Sequence, residues 1–371
     1  MGNEEKIIVV HIDTDLGWRG GQQQAFYLHT ELLNRNIKSH FICKKNSMFE
    51  KKFLEKNIFF RSYSFFGKLD IISALKVASY CKKINANIIH AHSSRALSTA
   101  LLIKHIYPKA KLVASRRVDF KIGANVFSKG KYLSKKLDKI ICISENIKKV
   151  MLACGISEEK LEVAVSGVDT DKYKNIIVEL DFKQKNNLPE NKIIIGTVAA
   201  LADHKDYPTL MKAAKIILGK RKDVFFCSLG DGRLKEDLLK LSESLGIDEN
   251  FKFYGHRDDV GKFLKIFDIF VLSSKMEGLG TSIIDAMALG LPIVASNAGG
   301  IPEIIKHEKN GLLFEKQNAE MLAEEIMRLL NDNDLRKRLS RQASIDSENF
   351  SFKKMTDENL RIYTKVLFGQ A

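Results

Sequence analysis

The stretch Asp268–Glu303, DIFVLSSKMEGLGTSIIDAMALGLPIVASNAGGIPE, decides how this chain folds and where its chemistry lies. It opens with the apolar run Ile269–Leu272, breaks into a loop with spaced glycines, and resumes with helical spacing from about Thr281 to Leu289. Together these features predict a strand, a loop and a helix of a parallel sheet. We therefore expect the functional groups in the loop and at the start of the helix.

The glycine loop is suited to bind an anion. Gly278 and Gly280 carry no Cβ atom, so their backbone N–H groups can approach a ligand closely. The helix after them offers unpaired N–H groups and the positive end of its dipole. The predicted phosphate-binding groups are the backbone N–H groups of Gly278, Leu279, Gly280 and Thr281.

Two carboxylates, Glu277 and Asp285, stand on either side of this predicted anion site. Phosphate oxygens bind N–H groups, whereas carboxylates bind hydroxyls, so a sugar attached to a phosphate is the ligand that satisfies both. The alternative is that Glu277 only precedes the helix and that Asp285 complements the helix dipole.

The composition predicts a soluble globular protein. Its 371 residues exceed one ordinary core and favour two domains, and 45% of them are hydrophobic and 28% charged. The N-terminus MGNEEKIIVVHI lacks a basic region, and Lys6 stands where a myristoylation motif needs Ser or Thr, so neither export nor that anchor is expected. Five cysteines without a C-x-x-C pair predict reduced thiols, and hence a cytoplasmic protein, rather than zinc or disulfides.

The net charge of +15 is concentrated in the first half of the chain. Residues 1–180 hold 31 basic against 17 acidic groups, residues 181–371 hold 29 against 28, and residues 51–150 alone hold 22 against 5. This asymmetry predicts an anionic partner: an anionic membrane surface at which the protein is peripheral, a phosphorylated acceptor, or nucleic acid. The alternative is a composition set by genome bias or a hot habitat.

Apolar strand-like runs alternate with helical spacing along the whole chain, which predicts α/β domains with doubly wound parallel sheets. We assign residues 1–175 to an N-terminal Rossmann-like domain and 186–349 to a second Rossmann-like domain that contains the glycine loop. The polar stretch 169–192 is interpreted as a linker between them, and residues 350–371 as a terminal helix beyond what the second sheet needs. In such folds ligands bind beyond the carboxyl ends of the strands, so we expect the motifs at a central cleft between facing domains.

The first strand leads into DTDLGWRGGQQQ, where Gly20 and Gly21 precede a helix. The pair lets the backbone approach a phosphate or sugar of the donor at a helix N-terminus, or it is a simple tight turn. Trp18, the only tryptophan, could stack on an acceptor sugar or anchor the loop.

The strand Ile88–His92 places His90 and His92 on one face, with His92 nearer the carboxyl end. An H-x-H pair can bind a metal ion, but no Asp, Glu or Cys lies nearby in sequence to complete a site, and a satisfied buried histidine is an equal alternative. After the next strand, Arg116 and Arg117 suit a phosphate or carboxylate on the acceptor, or form a solvated loop.

Two D-x-D pairs, Asp13–Asp15 and Asp169–Asp171, could indicate a metal-dependent sugar transferase. Short polar turns often contain this pattern, and neither pair stands where two strands and a further acid would form a divalent-ion site. We interpret both pairs as turns and expect no metal and no cofactor.

The motif EGLGTSIIDAMALGLPIVAS followed by GGIPE resembles the donor-site signature of the retaining, nucleotide-sugar-dependent glycosyltransferases of family 4, the glycosyl transferases group 1, which have the GT-B fold. That family usually has Glu at both ends of an E-x7-E spacing. Here the second acid is Asp285, which is one methylene shorter. The resemblance implies that residues 1–175 form an acceptor-side domain and residues 186–349 a nucleotide-sugar-binding domain. It also implies that the C-terminal helix 350–371 crosses back to the first domain.

The resemblance also implies roles for single residues. His92 would contact the donor sugar and orient the acceptor. Lys205 would hold the donor diphosphate, with Ala200 at the position of the usual Arg. Main-chain groups around Arg257 would lie beside the nucleobase, and Asp285 would bind the ribose.

These roles predict a metal-independent transfer of a sugar to a hydroxyl, in which Lys205 and the glycine loop stabilise the leaving diphosphate and Glu277 holds sugar hydroxyls. A saccharide or lipid-linked acceptor of the cell envelope is what family resemblance and the basic surface imply. The alternatives are a nucleotide-sugar epimerase or a phosphorylase on the same fold, and a basic nucleic-acid-binding protein, for which the sequence offers no recognition motif.

Overall fold

The computed structural model describes residues 6–67, 70–120, 122 and 126–369, with the side chains of 126–128 excepted. Residues 1–5, on which the predictions about export and myristoylation largely rest, lie outside the described residues. Within the described part, no helix combines the length and the apolar character needed to span a bilayer. The chain forms two compact units, Met1–Val168 with Ser351–Ala371, and Asp169–Phe350.

The first unit is built on a seven-stranded sheet in the order β3-β2-β1-β4-β5-β6-β7, with parallel pairing throughout. Its strands are β1 Ile8–Asp13, β2 Lys38–Lys44, β3 Arg61–Tyr63, β4 Ile88–Ala91, β5 Lys111–Arg116, β6 Lys139–Cys142 and β7 Leu161–Val163. Its helices are α1 Gly20–Asn34, α2 Met48–Glu55, α3 Ile71–Lys83, α4 Ser94–Ile106, α5 Val126–Leu133 and α6 Glu145–Ala153.

The second unit repeats the plan with six parallel strands in the order β10-β9-β8-β11-β12-β13. Its strands are β8 Ile193–Val198, β9 Val224–Leu229, β10 Phe251–Phe253, β11 Ile269–Leu272, β12 Ile293–Ser296 and β13 Leu312–Phe314. Its helices are α7 Phe182–Lys185, α8 Tyr207–Lys220, α9 Lys235–Leu245, α10 Val260–Ile266, α11 Thr281–Ala288, α12 Ile301–Ile304, α13 Ala319–Asn331 and α14 Asn333–Ser347.

Each sheet reverses its winding direction once, and this positions the functional loops. In the first unit the reversal falls between β1 and β4, and in the second between β8 and β11. Loops that leave the carboxyl ends of two such strands diverge to opposite faces, and the crevice between them is where doubly wound sheets bind ligands. The doubly wound parallel sheets predicted from the alternation of strands and helices are confirmed.

The last helix, α15 Phe352–Phe368, belongs to the first unit. The rings of Tyr27 in α1 and Phe352 stack with centroids 5.3 Å apart, Arg35 pairs with Asp357, and Tyr363 is fully buried. The expectation that the C-terminal helix returns to the first domain is confirmed.

The stretch 169–192 is part of the second unit rather than a linker that stands apart from both. Tyr173 and Phe182 are buried, and the Phe182 ring lies 5.1 Å from that of Phe263 in α10. The many polar residues of this stretch made it resemble a linker, because only a few of its residues are buried in the second unit. The boundary lies after Val168 rather than near residue 175.

Candidate active site

The second unit brings Lys205 and Glu277 together at the reversal of its sheet. Lys205 ends the 3-10 turn Asp203–Lys205 after β8, and Glu277 lies in the loop after the neighbouring strand β11. The ammonium of Lys205 forms an ion pair with a Glu277 carboxylate oxygen, which also accepts a hydrogen bond from Ser274 Oγ at 3.1 Å. Both charged side chains are only about 15% exposed, so the pair is shielded but reachable.

The two loops that carry this pair are joined by further contacts. Ser273 Oγ lies 3.0 Å from the carbonyl oxygen of Lys205 and 3.1 Å from that of Asp206. Lys275 forms an ion pair with Asp203 at 2.9 Å. These contacts hold Lys205 and Glu277 in one place, which is the preorganisation that a charge-stabilising site requires.

The start of α11 has the features of an anion site. Gly280 takes φ 95°, in the left-handed region that only glycine adopts readily, and, having no side chain, it cannot cap the helix. No acid stands in the first turn. Leu279 buries its side chain, which leaves its main chain as the part that could contact a ligand. A Cβ at Gly300 would meet Gly278 O at 2.4 Å, so the chain packs closely behind the loop.

Asp285 and Arg257 already have protein partners within the second unit. Lys172 Nζ lies 3.0 Å from Asp285 Oδ1, so ribose hydroxyls would share or replace this lysine. Arg257 makes a two-pronged pair with Asp259 at 2.8 Å and lies over the ring of Phe263. Its guanidinium is thereby occupied, which agrees with a role for main-chain groups there rather than for the side chain.

The first unit places a cluster of buried histidines at its own sheet reversal. His11 of β1 pairs in register with His90 of β4, and His92 follows β4. His11 Nδ1 lies 2.9 Å from His92 Nε2, and His90 bridges Tyr363 Oη at 2.6 Å and Ser115 Oγ at 2.8 Å. Burial lowers the pKa of all three imidazoles well below its usual value, so they are neutral.

Sequence reasoning missed His11. Its place opposite His90 becomes visible only once the pairing of β1 with β4 is known. The three histidines bring one ring nitrogen each within 4.8 Å of one another. They could hold a metal ion by donor type, but Arg117 Nη2 lies 3.2 Å from His92 Nδ1, and a cation there opposes a second one.

The two arginines after β5 have different surroundings. Arg116 is buried, donates to the carbonyl oxygen of Phe120, and lies against the rings of Phe120 and Tyr132. It therefore holds its own loop, and the predicted acceptor role falls to Arg117. Arg117 is only partly buried and contacts His92 and Ser115.

The loop after β1 is anchored by Trp18. Its ring packs edge-on against Phe26 and Phe49, and Nε1 donates to Gln23 Oε1 at 3.1 Å. Of the two predicted roles, the structure favours the anchor over stacking on an acceptor sugar. Gly20 and Gly21 were predicted to precede the helix but are its first two residues, and a Cβ at Gly21 would lie 3.1 Å from Arg117 Cδ.

The acids of both D-x-D pairs make turn contacts and ion pairs. Asp13 Oδ1 accepts the backbone N–H of Asp15 at 2.9 Å, and burial raises the pKa of Asp13 to about 7. Asp169 accepts the N–H of Lys172, and Asp171 pairs with Lys174. These are the contacts of polar turns, as the sequence predicted.

Two doubly wound parallel sheets, with a lysine–glutamate pair beside an uncapped helix start, form an arrangement that can bind a phosphorylated sugar. Residues 178–345 match the family described as "Glycosyl transferases group 1", and residues 18–172 match "Glycosyltransferase Family 4". The chain belongs to this family of GT-B glycosyltransferases.

Known proteins from several organisms are similar to this chain. An uncharacterized glycosyltransferase of Haemophilus influenzae is 29% identical over 62% of either chain. The UDP-Gal:alpha-D-GlcNAc-diphosphoundecaprenol alpha-1,3-galactosyltransferase of Escherichia coli is 25% identical over 89% of either chain. The structure of Anabaena HepE in complex with UDP-glucose has a TM-score of 0.81 at 19% identity, and the alignment covers 95% of this chain and 97% of that one.

Proposed function

We propose that this protein is a retaining, metal-independent glycosyltransferase that moves a sugar from a nucleoside diphosphate to a hydroxyl of a cell-envelope saccharide or lipid-linked acceptor. The Escherichia coli relative is named for a UDP-galactose donor and a diphosphoundecaprenol acceptor, and the Anabaena structure contains UDP-glucose. These names support the donor class and make a lipid-linked acceptor a reasonable proposal for this chain.

The observation that carries the proposal is the half-buried Lys205–Glu277 pair beside the uncapped start of α11. A leaving diphosphate at the helix start gains negative charge during transfer, which Lys205 and the N–H groups stabilise. Glu277, released from part of its contact with Lys205, can accept hydrogen bonds from sugar hydroxyls. Departure and attack on the same face of the sugar would retain its stereochemistry.

The donor is tested by measuring the melting temperature with UDP-, GDP-, ADP- and CMP-sugars. A ligand that binds only the folded state raises that temperature, so one nucleotide class should stabilise the protein selectively. Stabilisation by none of the four classes would contradict the proposal. An epimerase would convert the bound sugar nucleotide without an acceptor, and a phosphorylase would require inorganic phosphate, so product analysis separates both from a transferase.

A nucleic-acid-binding role is the alternative from another class. It rests only on the positive charge of residues 51–150. Binding of single- or double-stranded nucleic acid that persists at physiological salt would favour this role, whereas weak binding that salt removes would be nonspecific.

We also propose that the first unit docks on an anionic membrane surface. The outward face of α3 carries Ile71, Ile72 and Leu75, which are 60%, 68% and 51% exposed, and further along it the exposed Lys82 and Lys83. The helix contains no acidic residue. An exposed apolar turn beside lysines matches a surface of anionic lipid, where the apolar side chains enter the interface and the lysines meet headgroups.

Docking is tested by co-sedimentation with phosphatidylglycerol vesicles and with phosphatidylcholine vesicles. The wild type should sediment only with the anionic vesicles. The double variant Ile72→Ser with Leu75→Ser should lose most of this binding, whereas Leu239→Ser, at an exposed leucine of the second unit, should not. Equal sedimentation with both lipids, or none at low salt, would contradict docking.

A further inference from the structure

Arg117 carries a charge that the described residues do not neutralise. Its Nη2 lies 3.2 Å from His92 Nδ1 and 3.5 Å from Ser115 Oγ, and its Nε is shielded from solvent without a hydrogen-bond partner. Among the described residues no carboxylate forms an ion pair with it. The charge of Asp13 acts on it, but that carboxyl is engaged with Asp15 and Gln22. Shielding a cation from water without a carboxylate partner destabilises the fold, unless a ligand supplies the negative charge.

The hydrogen bonds of Arg117 determine the proton positions beneath it. A guanidinium only donates, so His92 Nδ1 must accept and carries no proton. Neutral His92 therefore has its proton on Nε2 and donates it to His11 Nδ1 at 2.9 Å. His11 in turn has its proton on Nε2, which is buried without a partner. In this row of three residues, Arg117 therefore donates a hydrogen bond to His92, and His92 donates one to His11.

This row leaves His92 with no ring nitrogen available to a substrate. Arg117 occupies Nδ1 and His11 occupies Nε2. The group above the row that still has unused donors is the guanidinium of Arg117, which is partly exposed. Its side chain passes under the first turn of α1, where Gly21 leaves room, since a Cβ there would lie 3.1 Å from Arg117 Cδ. No acid stands in that first turn, so the helix start adds positive potential.

We propose that Arg117 binds an anionic oxygen group, a carboxylate or a phosphate, on the acceptor, and that His92 and His11 are positioning residues that orient its guanidinium. The proposal rests on the glycosyltransferase function proposed above and narrows the acceptor class to one that carries a negative charge near the reacting hydroxyl. A guanidinium fixed by a neutral imidazole presents its remaining N–H groups as a fork, the geometry that carboxylate and phosphate oxygens match.

The first experiment is a calorimetric titration of the full chain with inorganic phosphate and with succinate, at constant ionic strength set with chloride. We expect one of the two anions to bind specifically, and the preferred anion distinguishes a phosphorylated acceptor from a carboxylated one. Arg117→Gln should weaken that binding by about tenfold or more, because a charge-assisted pair is lost. Arg117→Lys keeps the charge without the fork and should lose less.

The matched control is Lys82→Gln, which removes one positive charge from an exposed site of the same unit and should leave binding unchanged. Equal affinity of the wild type and Arg117→Gln for both anions would overturn the proposal. Failure of the wild type to bind either anion more tightly than chloride would overturn it as well. Circular dichroism of each variant confirms folding, and Arg117→Lys supplies the result if Arg117→Gln does not fold.

The positioning role is tested by isosteric pairs. Asn places an amide oxygen close to the position of Nδ1, so His92→Asn keeps the acceptor for Arg117 and should bind the anion within about threefold of the wild type. His92→Leu removes the acceptor and should resemble Arg117→Gln. His11→Asn and His11→Leu repeat the comparison at the residue that accepts the hydrogen bond of His92. Equal effects of Asn and Leu at position 92 would mean that the imidazole only fills space and does not orient the guanidinium of Arg117.

Failure of this inference and failure of the proposed function give different results. A nucleotide sugar that stabilises the protein while Arg117→Gln leaves anion binding intact would refute the anionic acceptor and keep the transferase. Anion binding that depends on Arg117 without stabilisation by any nucleotide sugar would refute the transferase instead. In a transfer assay, Arg117→Gln should raise KM for an anionic acceptor more than it lowers kcat, and KM for the donor should stay constant.

Discussion

The two units wind their sheets in the same way but place opposite chemistry at the reversal of the strand order. The first unit has neutral buried imidazoles beneath one arginine, whereas the second has a half-buried ion pair beside a helix start. Four of the six histidines of the first unit (11, 29, 90 and 92) are buried, whereas all three of the second (204, 256 and 307) are exposed. A shared architecture therefore does not determine which side chains fill the crevice.

The comparison also separates two kinds of electrostatics. In the second unit the charges of Lys205 and Glu277 face each other and can be exchanged for those of a ligand. In the first unit burial keeps the imidazoles uncharged, so they orient a neighbour without competing for an anion. We therefore expect substitutions in the second unit to change donor chemistry, and acid to affect the first unit first.

The largest expected effect is that of Glu277→Ala on transfer. Loss of the carboxylate removes the contact with sugar hydroxyls and frees Lys205, so turnover should fall by about a hundredfold or more. Glu277→Gln keeps an oxygen for Ser274 but not the charge, and should be intermediate. Initial rates and thermal unfolding of each variant check this, and near-normal turnover of a folded Glu277→Ala would refute the role.

Lys205→Ala should weaken the binding of the nucleotide sugar. A charge-assisted hydrogen bond contributes about 1.5–3 kcal/mol, which corresponds to roughly tenfold to a hundredfold in the dissociation constant. Calorimetric titration with the donor found in the melting screen measures this. Lys212→Ala is the matched control, because it removes one positive charge from the exposed face of α8 in the same unit, away from the Lys205–Glu277 pair.

Acid should unfold the first unit before the second. Burial lowers the pKa of His29 to about 3 and that of His11, His90 and His92 well below its usual value. Below about pH 6.5 the unfolded chain binds protons that the folded chain does not, so the free energy of unfolding falls by up to about 1.4 kcal/mol per histidine per pH unit. The pKa of Asp13 is raised to about 7, so between about pH 7 and pH 4 the folded chain binds a proton at Asp13 that the unfolded chain does not. This proton offsets the loss of stability caused by one of the four histidines.

The single tryptophan allows the unfolding of the first unit to be measured separately from that of the second. Trp18 lies in the first unit, so its fluorescence during urea unfolding reports that unit, and hydrogen exchange reports the second. His29→Gln should reduce the loss of stability between pH 6.5 and 4. Replacement of the exposed His204, His256 and His307 should not change it, and an equal effect of that triple variant would remove the contrast between the units.

The smallest expected effect is that of a chelator, which should leave transfer unchanged. The acids of both D-x-D pairs already make turn contacts, and Arg117 lies beside the histidine cluster. Rates measured in excess EDTA, with and without added Mg²⁺, check this. If EDTA abolished activity and Mg²⁺ restored it, transfer would depend on a metal ion, and the D-x-D pairs would again be candidates for its binding site.

Sequence reasoning predicted the regular elements well where the patterns are long. The strand Ile269–Leu272 has the predicted bounds. The edge strands Arg61–Tyr63 and Leu161–Val163 were missed, because three residues are too few for alternation to show.

The sequence by itself determined the doubly wound fold, the strand–loop–helix donor motif and the family, because each depends on residues close together in the chain. Only the tertiary structure decided which side chains meet. Lys205 and Glu277 are 72 positions apart, His11 and His92 are 81, and His90 and Tyr363 are 273. Such contacts follow from strand order and burial, which no local spacing records. Proton positions and pKa values depend on them and are therefore properties of the folded chain.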